Sequence, residues 1–208
     1  MCPKPKMAFI RVKGHGNHRY AYWVSEEWTK EGPRQKVSEY LGKVISEKPE
    51  KEIKESDFIG DKEIKEMAFS DFVRKLAALS LLKCGFVLKG KRYLKEIDGG
   101  RIDADLEKGS FSLETKGSSG KKRDIVIQIN DGFMCKKSME NLLFLGRGKK
   151  AGTEEVDESF YSEERIDGYE LAKLVVAAGL KPEQQTFLTL FERCIGKKLD
   201  LKLDDKTE

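Results

Sequence analysis

The sequence predicts an α+β fold in which a small N-terminal β-meander is joined by a charged linker to a mixed domain with a mainly antiparallel sheet and C-terminal helices. Three observations predict it. Near the N-terminus, short segments of alternating apolar and polar residues are separated by turns that contain Gly and Asn. A run rich in Lys and Glu follows, and after it come apolar residues at helical spacing and then several short strands. We therefore divide the chain into a basic β-meander (1–45), a charged linker (46–66), an α+β domain (67–196) and a charged tail (197–208).

The composition argues against a membrane protein and against a structural zinc site. The chain has 208 residues, 40 Lys and Arg against 36 Asp and Glu, and a net charge of +4. No apolar stretch approaches the roughly 20 residues that span a bilayer, so we expect a cytoplasmic protein with no membrane association. The four cysteines lie far apart and there are two histidines, which disfavours structural zinc. We expect neither a cofactor nor a metal.

The positive charge is concentrated in two stretches. Residues 1–45 contain 9 basic and 4 acidic side chains, and residues 108–150 contain 10 and 4. Residues 46–107 are nearly neutral, and residues 151–208 are acidic, with 8 basic and 14 acidic side chains. Basic segments that share a face would attract a polyanion, whereas scattered surface lysines serve solubility. The aromatic residues within the first stretch favour nucleic acid as the partner.

The elements follow in order along the chain. Strands are predicted over 8–13, 19–27 and 35–44, with turns at Gly14-His15-Gly16-Asn17 and around Gly32. Apolar residues at intervals of three and four predict a helix over 67–84 that ends before Gly85. Further strands are predicted over 86–88, 93–97, 101–106, 111–115 and 124–129, an exposed loop over 146–166, and helices over 136–145, 169–178 and 183–195. The last two helices would either cover the sheet or form a homodimer contact.

The N-terminal unit carries a recognisable order of segments: Phe9-Ile10-Arg11-Val12-Lys13, Tyr20-Ala21-Tyr22-Trp23-Val24, Gly32-Pro33-Arg34-Gln35-Lys36-Val37 and Tyr40-Leu41-Gly42. This order resembles a segment at the N-terminus of DDE-type insertion-sequence transposases and of small archaeal proteins that lack the catalytic part. The resemblance covers residues 8–44 and implies contact with nucleic acid, DNA in the first place. The remaining 160 or so residues hardly contain the transposase's catalytic domain.

The residues themselves indicate the same partner. Basic side chains of the meander would approach phosphates and its aromatic rings would stack on bases; the candidates are Arg11, Lys13, Arg19, Arg34, Lys36, Tyr22 and Trp23. The second basic stretch adds Lys121, Lys122, Arg123, Lys136 and Lys137. The alternative is that the aromatic residues form the core of the small unit while the basic residues are solvated.

A second motif, Asp103-Ala104-Asp105 followed by Glu114-Thr115-Lys116, resembles the core of the PD-(D/E)xK nucleases. The resemblance implies that Asp103 and Glu114 bind Mg²⁺ and that Lys116 assists a water molecule. The motif is short in a chain that is 37% charged, and solvated hairpin charges are the alternative. The sequence thus favours a non-catalytic nucleic-acid-binding accessory or regulatory protein. The alternatives are a Mg²⁺-dependent nuclease and a protein-interaction scaffold.

Overall fold

The computed structural model describes residues 8–60, 67–116, 121–145 and 168–195. The strands within these ranges are β1 (Ala8–His15), β2 (His18–Thr29), β3 (Gly32–Ser46), β4 (Val87–Lys89), β5 (Arg92–Ile97), β6 (Gly100–Asp105), β7 (Ser110–Thr115), β8 (Lys122–Ile129) and β9 (Gly132–Met134). The helices are α1 (Glu55–Phe58), α2 (Phe69–Lys83), α3 (Lys136–Leu145), α4 (Gly168–Ala177) and α5 (Gln184–Ile195). The predicted α+β class is confirmed.

The strands form one sheet in the order β1-β2-β3-β8-β7-β6-β5-β4, and β9 pairs with β8. All neighbouring pairs are antiparallel except β3 and β8, which run parallel with Lys43–Ser46 beside Ile125–Gln128. The meander therefore continues into the sheet of the α+β domain predicted over 67–196, which we call the second part. The predicted boundary at residue 45 falls inside β3. Whether the two parts are separate folding units stays a prediction.

Gly42 lies next to the bulge in the β2–β3 pairing and directly before Lys43, where the pairing of β3 with β8 begins. Its φ of 127° is a conformation that side chains with a Cβ rarely adopt. A Cβ at this position would also lie 2.4 Å from the backbone oxygen of Asp124. The junction between meander and second part thus requires glycine.

The main core lies between one face of the sheet and the helices. Strands β6, β7 and β8 turn alternate apolar residues toward it, among them Ile102, Leu113 and Ile127. Helices α2 to α5 supply the opposing residues, including Phe72, Leu76, Met139, Leu142, Leu171, Val175 and Leu190. A second, smaller core on the other face joins Ala21, Leu41, Val44, Val126 and Cys135.

Helix α2 begins and ends within two residues of the prediction. Its apolar period buries one side against the sheet. The helix terminates in a Schellman arrangement, in which the N–H of Phe86 donates to Leu81 at 3.1 Å and the N–H of Gly85 donates to Leu82 at 3.0 Å. Gly85 has a φ of 83°, which confirms its predicted place after the helix.

The structure describes residues 46–60 of the predicted linker, and they pack against the second part. Ile59 is 1% exposed and belongs to the main core. The Nζ of Lys95 on β5 lies 2.6 Å from Oε2 of Glu47 and 2.7 Å from Oε1 of Glu50. The backbone N–H groups of Glu50 and Lys51 also donate hydrogen bonds to the carbonyl of Lys83, at 2.8 and 3.0 Å. These contacts hold the segment against the second part, although its composition is typical of an exposed connection.

Helices α4 and α5 turn their apolar sides into the main core, with Leu171, Val175 and Leu190 buried. The expectation that they cover the sheet is confirmed, and a homodimer through them stays a prediction. The predicted loop over 146–166 and the charged tail over 197–208 lie outside the described residues. No helix within the described ranges is long and apolar enough to cross a membrane.

Candidate nucleic-acid interface

Three tyrosines and three cations lie together on one face of the meander. Arg11 and Lys13 of β1 stand opposite Tyr22 and Tyr20 of β2, so these four side chains share a face. The bulge between β2 and β3 places Tyr40 on the same face, with its ring centroid 5.5 Å from that of Tyr22 and 6.3 Å from that of Tyr20. We call the surface formed by Arg11, Lys13, Tyr20, Tyr22, Tyr40 and Arg123 the tyrosine face.

The tyrosine face is open to solvent at Tyr40, whose exposed fraction is 55%. Beside it lies a shallow hollow of about 370 Å³, lined by the three tyrosines, Lys13, Gly14 and His15. The ring of His18 contacts Tyr20 edge-on at 6.4 Å between centroids. An exposed aromatic ring beside a hollow of this size offers a planar group a surface on which to stack.

Two cations of this face contact a ring and an amide rather than a carboxylate. Lys13 Nζ lies 5.5 Å from the centroid of the Tyr22 ring, and Arg11 donates a hydrogen bond to the side-chain oxygen of Gln35. Burial, the neighbouring Tyr20 and Tyr22, and the charge of Asp124 raise the pKa of the Tyr40 hydroxyl, and the charge of Arg123 acts in the opposite direction. Among the described residues, none of these three cations forms an ion pair.

Two other predicted contacts lie on the opposite face of the meander. Trp23 packs half-buried against the smaller core, and Lys137 Nζ lies 5.7 Å from its ring centroid. Arg19 donates hydrogen bonds to Ser46 and, at 2.9 Å, to the side-chain oxygen of Gln128. The alternative that aromatic residues form core is therefore correct for Trp23, and Arg19 ties β2 to the junction of β3 and β8.

The remaining basic candidates are distributed over several places. Arg34 and Lys36 form ion pairs with Glu31 and Glu27 near the tip of the β2–β3 hairpin. In the second basic stretch, Lys122 Nζ contacts Asp103 at 2.5 Å, Lys136 lies 3.9 Å from Glu140, and Lys121 is exposed. Arg123 is the member of this described set that lies beside the tyrosines.

The candidate contacts named from the sequence did not include Tyr20 and Tyr40, which lie on the tyrosine face. Simple alternation from Gly42 assigns Tyr40 to the face of the smaller core, whereas the bulge moves it to the face of Tyr22. A glycine inside a strand pattern is the available signal, because it often marks a bulge.

The nuclease residues lie on the polar face of the second part, opposite the main core. Asp103 is 5% exposed, and its Oδ2 contacts Arg92 at 3.0 Å and Lys122 at 2.5 Å. Glu114 Oε2 lies 2.7 Å from Arg101, and Lys116 stands in the turn after β7. No group of three or more His, Cys, Asp or Glu that could hold a metal occurs in the described ranges. Both carboxylates are neutralised by cations, so this set does not fit Mg²⁺.

Comparisons with known proteins give no relative for this chain: no family model, no curated protein and no solved structure matches it. The two resemblances drawn from the sequence therefore stay predictions.

Proposed function

We propose that this chain is a non-catalytic nucleic-acid-binding protein and that the tyrosine face is its binding surface. One observation carries the proposal: three clustered tyrosines, one of them well exposed, lie beside cations that have no carboxylate partner among the described residues. The resemblance of residues 8–44 to transposase N-terminal segments supports the same partner.

The chemistry of the tyrosine face favours single-stranded over duplex nucleic acid as the ligand. A tyrosine ring binds a base through the flat side of that base, and inside a duplex this side is covered by the neighbouring base pairs. Tyr40 and the hollow beside it would hold one base, while Arg11, Lys13 and Arg123 would contact the phosphates on either side. Such binding is tolerant of sequence, because every base has a flat face.

The test is fluorescence anisotropy with a labelled oligothymidylate, with duplex DNA and single-stranded RNA for comparison. We expect Tyr40→Ala to weaken single-strand binding by about 1–3 kcal/mol, since one stacked base contributes that much. Tyr169→Ala is the matched control, because Tyr169 is 70% exposed and has Lys173 Nζ 5.4 Å from its ring, yet it lies on α4. Its affinity should equal that of the unsubstituted protein.

Two results would contradict the proposal. Equal losses in the two tyrosine variants would show that the tyrosine face has no special role, and the absence of single-strand binding at low salt would remove the function itself. Each probe is also checked on a denaturing gel with and without Mg²⁺. If the probe is shortened only when Mg²⁺ is present, the activity of the chain is cleavage and not binding alone.

A further inference from the structure

A cleft lies where the segment after β3 crosses α2 and meets the start of α5. Its volume is about 470 Å³, within the range of small-molecule sites. The apolar part of its lining includes Leu76, Leu79 and Ile129, and its basic part consists of Lys51, Lys83 and Lys181. None of the residues of the tyrosine face lines this cleft.

Glu55 also lines the cleft and is 3% exposed. Its Oε2 accepts a hydrogen bond from the backbone N–H of Glu183 at 2.8 Å. Its Oε1 is buried as well and accepts no hydrogen bond in the described part of the chain. Buried polar atoms almost always have a partner, so Oε1 of this cleft-lining residue can accept a hydrogen bond from a donor that the described residues do not supply.

The charges of the lining define the rest of the ligand. Among the described residues, Lys51, Lys83 and Lys181 form no ion pair, so three ammonium groups are available to an anion. Glu50 and Glu52 line the cleft as well. Glu50 is bound to Lys95 on β5, which lowers the pKa of Glu50 and keeps it ionised there. Phosphate suits such a lysine group, because ammonium is a strong point-charge partner for it.

We propose that this cleft binds a small phosphorylated molecule whose apolar body carries an amine, and that an aminopurine nucleotide is the simplest member of this class. The amine would donate to Oε1 of Glu55, the ring would lie on the leucines and Ile129, and the phosphate would lie among the lysines. Adenine has one exocyclic amine, which can donate a hydrogen bond to the one unpartnered oxygen, Oε1 of Glu55. Because Oε1 is covered, binding includes a small outward shift of the side chains over it.

The experiment titrates the full chain with three probes by isothermal calorimetry: AMP, purine riboside 5′-monophosphate and adenosine. Purine riboside monophosphate keeps the ring and the phosphate but lacks the amine, and adenosine lacks the phosphate. We expect AMP to bind at least about tenfold more tightly than purine riboside monophosphate, because a hydrogen bond to a charged group is worth about that factor. AMP should also bind more tightly than adenosine, which has no phosphate to contact the lysines. All three titrations use the unsubstituted protein, so a folding defect cannot produce this result.

Variants then assign the residues. Lys83→Met should weaken AMP binding severalfold, whereas Lys91→Met, an exposed lysine in the β4–β5 turn that does not line the cleft, should leave it unchanged. Glu55→Gln should remove the preference for AMP over the amine-free nucleotide. Absence of AMP binding, equal affinity for the two nucleotides, or equal effects of the two lysine variants would each overturn the proposal. Because the tyrosine face also offers a base a surface on which to stack, the titrations are repeated with Tyr40→Ala, which does not line the cleft. Its preference for AMP over the amine-free nucleotide should be unchanged, and loss of that preference would overturn the proposal.

Discussion

The tyrosine face and the polar face of strands β5 to β8 each present three cations on one sheet, but the cations have different partners. On the polar face, Arg92 and Lys122 contact Asp103, and Arg101 contacts Glu114. On the tyrosine face, the cations lie beside rings and an amide. A polyanion would have to displace carboxylates from the first surface, whereas the cations of the second form no ion pair among the described residues.

Strand register causes this difference. In the second part, Arg101 stands opposite Glu114 and Glu114 opposite Lys122, so charges of opposite sign alternate across the sheet. In the meander, Arg11 and Lys13 stand opposite Tyr22 and Tyr20. Net charge along the chain therefore does not locate a binding surface. Strand pairing determines which side chain lies opposite each cation. A cation opposite a carboxylate is already paired, whereas a cation opposite a tyrosine can contact a ligand.

The largest effect is expected at the junction of the two regions. Gly42→Ala should lower the free energy of unfolding by about 3 kcal/mol, since it combines an unfavourable φ with a backbone clash. The measurement is urea denaturation followed by circular dichroism. Because the tyrosine face depends on the bulge next to Gly42, single-strand binding should weaken in the same variant.

Gly14→Ala is the matched control, because Gly14 also lies in a strand of the meander but has no atom within 4 Å of the position that a Cβ would occupy. Its stability should change by less than about 0.5 kcal/mol, as for ordinary surface substitutions. Equal destabilisation by the two variants would show that the junction is not specially constrained.

The next effect tests whether buried charge in the second part stabilises the fold. Lys95→Met should cost about 3 kcal/mol, because it leaves Glu47, whose side chain is 8% exposed, without its cation. Burial alone would lower the pKa of Lys95, but its hydrogen bonds to Glu47 and Glu50 outweigh burial and raise it above 10.5. The contribution of Lys95 is therefore fully present below pH 10.5 and is lost as the pH rises through the higher pKa of the folded state.

Denaturation at neutral pH and above pH 10.5 measures this contribution, and the loss on raising the pH should be smaller in the Lys95→Met variant. Lys13→Met is the control from the tyrosine face, because Lys13 is exposed. It should leave the free energy of unfolding nearly unchanged at neutral pH. A pH response in Lys95→Met equal to that of the unsubstituted chain would contradict the assignment.

Local pattern predicted most elements of this fold within two residues, because the apolar periods and the glycines that end them are local properties. The parallel pairing of β3 with β8 was not predictable in this way, since it joins segments about 80 residues apart in the chain. The site shows the same limit. The sequence names Arg11, Lys13, Tyr22 and Arg123 as candidates, and their role stays a prediction. The place of Tyr40 depends on a bulge, and the pairing of Asp103 depends on cross-strand neighbours.

The smallest expected effect comes from substituting two neighbouring residues of β8. Comparing the two variants tests whether strand register or net charge determines nucleic-acid binding. Arg123→Ala and Lys122→Ala remove one positive charge each, but Arg123 lies beside Tyr40 while Lys122 is bound to Asp103. We expect Arg123→Ala to weaken single-strand binding by about 1 kcal/mol and to lower the salt slope by about 1, as for loss of one phosphate contact. Lys122→Ala should leave affinity nearly unchanged and lower stability instead, because Asp103 loses a partner. Equal loss of affinity in the two variants, measured by anisotropy across a salt series, would mean that overall charge rather than strand register selects the ligand.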